Sequence, residues 1–183
     1  ELAQFKEMIR RRVKGEPFQH ILGNAGFYGR DFVINKHVLI PRPETEIIIE
    51  LLKKKDPEES ILEIGTGSGC ISATISLENL ATSIIATDIS KKALSIAKEN
   101  AQKFKIENID FKIHDFLQTE INSTFDVVVS NPPYIGSNEM KDLQKEVQDY
   151  DPNIALTDSN DGLSFYRRFA ETGVSLLNQN GFM

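Results

Sequence analysis

Residues 61–88 read ILEIGTGSGCISATISLENLATSIIATD. An apolar run from Ile61 to Ile64 is broken only by Glu63 and leads into glycines at 65, 67 and 69. A helix-like stretch follows, GCISATISLEN, and then a second apolar run, SIIATD, that stops at Asp88. Strand, glycine turn, helix, strand is the repeating unit of a parallel sheet, because parallel neighbours need a crossover long enough to hold a helix. Glycines in the turn let the backbone bend tightly and approach a ligand without Cβ clashes.

The same alternation continues outward. KKALSIAKENAQKF (91–104) reads as a helix with Ala93, Leu94, Ile96 and Ala97 inward. IDFKIHD (109–115) and FDVVVSN (125–131) read as strands, and GLSFYRRFAETGVSLL (162–177) as a helix. Near-continuous apolar strands predict an α/β fold with a parallel sheet covered on both faces. NQNGFM (178–183) reads as a turn leading into a further strand, so the C-terminal strands of the sheet are expected to be missing. Upstream, LAQFKEMIRRRV (2–13) has the period of an amphipathic helix end, with Leu2, Phe5, Met8, Ile9 and Val13 on one face, and Gly15 and Pro17 break it. FYGRDFVINKHVLI (27–40) alternates like a β-hairpin or short meander, with turns at Gly29 and at Asn35-Lys36. IIIELLKKK (47–55) reads as a helix whose start is marked by Pro43, Glu44 and Glu46.

At 183 residues the chain suits one domain, or one with a small appendage, and 40% hydrophobic residues suffice for a core. A net charge of -6 offers no broad attraction to phosphate backbones. The run Arg10, Arg11, Arg12, Lys14 is read as cations offsetting a helix C-terminus in preference to a phosphate site. Cys70 is the single cysteine, so no internal disulfide exists, and His20, His37 and His114 are dispersed without metal-ligand spacing. No apolar run approaches the ~18 residues of a membrane span. An intracellular, cytoplasmic protein is the expectation, with its true N-terminus lying upstream of Glu1.

The glycine turn narrows the ligand. A dinucleotide fingerprint would need glycine where Cys70 stands, which disfavours NAD. An acid on the strand, Glu63, followed by Gly65, Thr66, Gly67, Ser68 and Gly69, is typical of S-adenosylmethionine sites. Asp88, ending the second strand, is placed to accept bonds from both ribose hydroxyls. Asp115, ending the third, is placed to accept from the adenine amino group, with Phe116 on the adenine face. Singly, these features read as a plain turn, an N-cap (Asp88 or Ser90) and a core aromatic; together, at successive strand ends, they point to a nucleoside cofactor.

SNPPY (130–134) closes the fourth strand on the same edge. Proline 132 holds Asn131 extended, and Pro132 and Pro133 fix φ and remove two N–H donors. The Asn131 side-chain oxygen and the Pro132 carbonyl can then both face a ligand, and two fixed acceptors suit a planar NH2 group, against which Tyr134 can pack. An amide nitrogen is a poor nucleophile because its lone pair is delocalised. Gripping both N–H bonds orients it and stabilises the positive charge that develops as it is methylated.

With these residues in view, the sequence resembles a known family. The Asn-Pro-Pro-Tyr motif is shared by methyltransferases acting on amino groups of DNA adenine, RNA bases and protein glutamine. GEPFQHILG (15–23), FYGRDF (27–32), VLIPRPETE (38–46), YDPNIAL (150–156) and DGLSFYRRF (161–169) resemble the HemK/PrmC family of release-factor glutamine methyltransferases. Asp151 stands where that family commonly has glutamate. The resemblance implies a class I, Rossmann-like methyltransferase sheet over 41–183, preceded by the end of an N-terminal helical domain (1–24) and a linking β-hairpin (25–40). It implies methyl transfer from S-adenosylmethionine, leaving S-adenosylhomocysteine, to the glutamine of the GGQ motif. Asn131, Pro132, Pro133 and Tyr134 would hold the substrate glutamine, and Asn131 would also border the cofactor. The expected partner is a release factor, with no membrane and no direct nucleic-acid binding, and the expected state is a monomer. Some members of the family are fused to a tRNA guanine methyltransferase domain. The alternatives are an amino-methyltransferase acting on rRNA, tRNA or DNA adenine, which the acidic balance and IPRPETE disfavour, and a binding module that kept the fold without the chemistry.

Overall fold

The apolar run at Ile61–Ile64 becomes the central strand. In the computed structural model, which describes residues 1–183, β3 (Glu58–Ile64) pairs in parallel with β4 (Ala81–Asp88) on one side and β6 (Phe125–Ser130) on the other. The strand β5 (Ile109–Ile113) lies beyond β4, and β7 (Leu177–Phe182) beyond β6, so the order is β5-β4-β3-β6-β7 with every pairing parallel. Successive side chains of a strand point to opposite faces. Ile61, Val127 and Val129 therefore join a core with α3 (Ile47–Leu52) and α4 (Cys70–Leu77), while Leu62, Ile64 and Val128 pack with Phe116 and with Leu176 of α8 (Ser164–Leu176). Coverage on both faces is what the near-continuous apolar strands imply.

The chain builds β3, β4 and β5 in one direction and then returns to place β6 on the other side of β3. That reversal opens a crevice at the carboxyl ends of β3 and β6, the usual ligand position in open α/β sheets. The helix α5 (Lys91–Lys103) buries Ala93, Leu94, Ile96 and Ala97 as the periodicity predicts, and Ser90 caps it by accepting from the Ala93 N–H at 3.2 Å.

Upstream, β1 (Asn24–Phe27) and β2 (Arg30–Val33) form an antiparallel hairpin. Its two-residue turn places Tyr28 at φ +49° and Gly29 at φ +72°, the geometry whose twist matches flanking strands. No third strand follows, so the element is a hairpin and not a meander. Asn35 still turns the chain, and Ile34, Val38 and Ile40 lie irregularly against Ala93 and Ile96 of α5.

Three segments depart from expectation. The helix α1 (Leu2–Val13) forms as read, but none of its residues is buried, and Leu2, Phe5, Ile9 and Val13 stand exposed. The short α2 (Phe18–Leu22), between Pro17 and the left-handed Gly23, was not anticipated because five residues carry no measurable period. NQNG is not a turn ahead of a strand. The strand β7 starts directly after α8, and Leu177 faces Phe125 while Phe182 faces Val127. Five steps along β7 match two along β6, and Asn180 at φ +70° takes up the slack as a bulge. No helix is long and apolar enough to cross a membrane.

Two buried polar side chains hold the crevice in shape. Glu63 is fully buried beneath the glycine turn. Its Oε2 accepts from Thr66 Oγ1 at 2.6 Å and from the Ser72 N–H of α4 at 3.2 Å, while Oε1 has no partner. Burial pushes this carboxyl up to about 7, against the opposing pull of those bonds. Asn100 of α5 is also fully buried. It accepts from the Val33 N–H at 2.7 Å and donates to the Val33 and Ser68 carbonyls, both at 2.9 Å, tying hairpin, helix and glycine turn together.

Two outcomes follow. Asn100→Leu leaves three buried or half-buried backbone groups unpaired and is expected to lower the unfolding free energy by about 2–4 kcal/mol. Urea denaturation reads the loss, and faster hydrogen exchange at the Val33 amide locates it; an unchanged midpoint contradicts it. For Glu63, the folded carboxyl holds its proton more tightly than the unfolded one, whose ordinary value is 4.5. Its stabilisation is therefore complete below that value and is lost as pH rises through about 7, by at most about 3 kcal/mol. Glu63→Gln is expected to be the more stable protein at about pH 8 and to show a flatter dependence of thermal midpoint on pH than wild type. Parallel pH profiles of the two proteins contradict this.

Candidate active site

Over the carboxyl ends of the strands lies a cavity of about 500 Å3. The turn residues Gly65, Thr66, Gly67 and Ser68 line it after β3, Asp88 at the end of β4, Asp115 and Phe116 after β5, and Asn131, Pro132 and Pro133 after β6. Gly65 and Gly67 sit at φ +75° and +57°, and a Cβ on either would meet no protein atom within 4 Å. The turn therefore shows bare backbone to the cavity. Asp88 Oδ2 accepts from the Gly67 N–H at 2.9 Å and Oδ1 from the Ser90 N–H at 2.8 Å. Burial lifts this carboxyl above its usual range, with those two bonds opposing. Asp115 Oδ1 accepts from the Leu117 N–H at 3.1 Å, which sets the bend that carries Phe116 inward. Phe116 is a core residue as well as a wall: it is 5% exposed and lies 4.8 Å from the Phe169 ring centroid.

Two residues expected on this wall are elsewhere. Glu63 does not reach the cavity, because its carboxylate is held under the turn by Thr66 and Ser72. Its place is support, not ligand contact. Gly69, at φ +78°, faces α5, where a Cβ would come within 3.0 Å of Ala97 Cβ; it permits close helix packing and does not line the cavity.

Asn131 and Pro132 also line a second cavity, of about 380 Å3, against the same turn. Its walls are largely apolar, with Leu39, Ile48, Tyr134, Val147 and Leu156 among them. Tyr134 lies on this second cavity only and is 59% exposed. The turn between the two cavities is held from several directions. Ser130 Oγ donates to the Ile64 carbonyl at 2.7 Å. The Ile135 and Ser137 N–H groups donate to the Leu156 and Asn160 carbonyls at 3.0 and 2.8 Å. Gly162, at φ +81°, touches the turn so closely that a Cβ would fall 2.3 Å from the Tyr134 carbonyl oxygen. The loop carrying Gly162 is organised by Asp158. Burial raises that carboxyl, but N–H donors from Ser164, Asn160 and Gly162 outweigh it and bring it down to about 2.

PRPETE, read from sequence only as a helix start, supplies three anchors. It forms a 3-10 turn at Pro43–Glu46. Arg42 pairs with the buried Asp151 at 2.6 Å, and Glu46 Oε1 accepts from the Tyr28 N–H in the hairpin turn at 2.8 Å. Between them, Thr45 Oγ1 accepts from Asn131 Nδ2 at 3.2 Å. Arg42 and Thr45 line both cavities. Sequence reasoning missed these residues and Asp158. The available signal was their place inside PRPETE and next to DGLSFYRRF, stretches quoted for resemblance without a physical role.

The model of the methyltransferase small domain matches residues 43–148, and that of the PrmC N-terminal domain matches residues 1–23. The chain is 45% identical over 180 residues to the release factor glutamine methyltransferase of Bacillus subtilis, covering 93% of this chain and 62% of that protein. It is 38% identical to the bifunctional methyltransferase of Rickettsia bellii, covering 99% of this chain and 38% of that protein. The chain thus spans less than two thirds of the length of these relatives. Among solved structures, the tRNA m1G37 methyltransferase of M. jannaschii matches with a TM-score of 0.59 at 16% identity, over 86% of this chain and 39% of that one, a likeness of fold. With a class I sheet, a glycine turn at its switch point and the match over residues 43–148, the chain belongs to the methyltransferase small domain family, and its first 23 residues are similar to the PrmC N-terminal domain.

Proposed function

We propose that this chain carries the catalytic part of an S-adenosylmethionine-dependent enzyme that methylates the side-chain amide nitrogen of the GGQ glutamine in peptide-chain release factors. One observation carries the reading: Asn131 and Pro132 line both the cavity with a glycine floor and the second cavity, which Tyr134 borders. A transfer enzyme needs donor and acceptor on opposite sides of one fixed point. The activity for which the B. subtilis relative is named supplies the substrate class.

The first cavity fits the cofactor. Its volume lies in the ordinary range for such ligands, and positions 65 and 67 leave open the space a Cβ would fill. Each Asp88 oxygen, though bonded to one N–H, keeps a second acceptor site for a ribose hydroxyl. Asp115 would face the adenine amino group and Phe116 the adenine ring. When bound, S-adenosylmethionine supplies an electrophilic methyl group. The chain's own part is to present a nucleophile. No backbone donor of the chain bonds to the Pro132 carbonyl, and Asn131 Oδ1 is free of its own amide's bond to Thr45. These two acceptors grip the two N–H bonds of an amide, align its nitrogen and stabilise positive charge developing there. Once its C–N bond has formed the nitrogen is cationic and acidic and releases its proton to water, so no strong general base is required.

Residues 1–24, 25–40 and 41–183 are proposed as the end of a helical domain, a linker and the catalytic domain. A cytoplasmic, monomeric enzyme suits this substrate. Methylation of nucleic-acid bases is the weaker reading. Arg10, Arg11 and Arg12 are paired with Glu7, Glu16 and Glu146, which leaves the basic run little charge for phosphate.

The deciding experiment offers release factor, tRNA, ribosomal RNA and DNA in parallel to the full-length protein with labelled cofactor; label in nucleic acid and none in release factor overturns the proposal. A release factor with the GGQ glutamine changed to Glu is expected to accept no methyl, since a carboxylate offers no N–H to grip. Asp88→Ala is expected to weaken cofactor binding by about 1.5–3 kcal/mol through the lost ribose bonds, and calorimetry showing unchanged affinity would remove Asp88 from the site. In the Asn131 series, turnover is expected to fall in the order wild type, Asn131→Asp, Asn131→Leu, the last by about 100-fold or more as an acceptor is lost in the transition state. Equal single-turnover rates for Asn131→Leu and wild type at saturating cofactor return SNPPY to the status of a turn.

A further inference from the structure

An asparagine amide has a donor end and an acceptor end of nearly equal shape, and the proposed chemistry depends on which end faces the substrate. If Asn131 turned its NH2 toward the cavities, N–H donors would oppose N–H donors and one substrate hydrogen would go unpaired. The backbone does not decide this. Pro132 holds the Asn131 backbone extended, but the terminal torsion of the side chain is broad and roughly two-fold.

We infer that Thr45 is a positioning residue for the transfer: its hydroxyl takes the Asn131 Nδ2 donor and thereby presents Oδ1 to the reacting amide. The inference rests on the proposed role of Asn131 as substrate acceptor. Asn131 Nδ2 lies 3.2 Å from Thr45 Oγ1, across 86 residues of sequence. A threonine hydroxyl has both a hydrogen and lone pairs, so it can meet either end of the amide. With a substrate NH2 on the other side, only one arrangement satisfies all three groups: substrate N–H to Oδ1, and Nδ2–H to Oγ1. The flipped amide would set Nδ2 against the substrate donors.

Thr45 is held firmly enough for this task. Pro43 fixes φ two residues before it, and the Thr45 N–H donates to the Arg42 carbonyl at 3.0 Å. Arg42, just before the 3-10 turn, is tied to Asp151, and Glu46, its last residue, to the hairpin turn. Residues 42–46 thus form a bracket whose central hydroxyl meets the reacting turn at the boundary of the two cavities, and Thr45 borders both.

A double-mutant cycle on the full-length enzyme with release factor tests this, read as single-turnover rates at saturating cofactor and substrate. Thr45→Val keeps the shape and removes the hydroxyl; it is expected to lower the rate on the order of 10-fold, and Thr45→Ser to restore most of it. In an Asn131→Leu background, which has no amide to orient, Thr45→Val is expected to change the rate by less than about twofold. A structural or cofactor-holding role would not disappear in that background. The same loss in both backgrounds, or no loss from Thr45→Val in wild type, overturns the inference. If Asn131→Leu itself has no effect, the assignment of Asn131 as substrate acceptor fails, and this inference fails with it.

Discussion

The glycine turn keeps its shape because a carboxylate lies beneath it. Glu63 has no access to water and meets the turn through Thr66 and the start of α4 through Ser72. A lone glycine-rich turn is conformationally loose, and ordering it costs more entropy than ordering any other sequence. Tethering both its first residues and the following helix to one buried group removes that freedom. Asp88 completes the arrangement from above, by accepting from the Gly67 N–H. The turn is therefore set between two acids, one sealed in the core and one on the cavity wall. The burial of Glu63 is costly to a charged carboxyl, and the structure tolerates that cost at the point where a ligand needs an unmoving floor.

From this floor the constraints spread sideways through polar contacts between distant segments. Asn100 carries the position of Ser68 to the end of the hairpin, and the hairpin turn carries it to Glu46. Glu46, Thr45 and Arg42 then reach the hairpin, the Asn-Pro-Pro-Tyr turn and Asp151. Residues 25–46 thus brace the site as well as lead into it. Apolar contacts of Ala25, Ile34, Val38 and Ile40 with α5 hold this segment in place, while the hydrogen bonds supply direction, since burial is non-directional and bonds to fixed groups are not.

Much of this was legible in the sequence, and the division has a physical basis. The sheet, its helices and the glycine turn are written in local periodicity, and strand ends mark their own edge of a parallel sheet. Asp88, Asp115, Phe116 and Asn131 could be named because each stands directly after an apolar strand. Thr45 and Arg42 could not, because their significance is tertiary: they act on groups 86 and 109 residues away. Asp158 acts locally, on N–H groups two to six residues on, but in a loop without a period. Glu63 was placed at the ligand for the same reason. Strand alternation says which face a side chain takes, not whether a helix N-terminus will cover it. The exposed face of α1 is legible in the other direction, since its period predicts burial that nothing within residues 1–183 provides.

The electrostatics of the first cavity give a reason for neutral groups at Asn131 and Pro132. Carboxylates at Asp88, Asp115 and Asp158 line the first cavity, where a ribose, an adenine and a cationic methyl donor would be held. At position 131 a full negative charge would attract the cationic donor before reaction about as strongly as it would favour the nitrogen after it. Binding both states equally does nothing for the rate of the chemical step. An amide oxygen and a backbone carbonyl, aimed at two N–H bonds, act chiefly on the acceptor nitrogen and gain strength as that nitrogen becomes positive. Their effect depends on direction in a way that a charge does not. A site built from dipoles must therefore hold them still, which accounts for the number of contacts converging on one short turn: Ser130 on the sheet, Leu156 and Asn160 on the opposite loop, Gly162 against its carbonyl, and Thr45 on its amide.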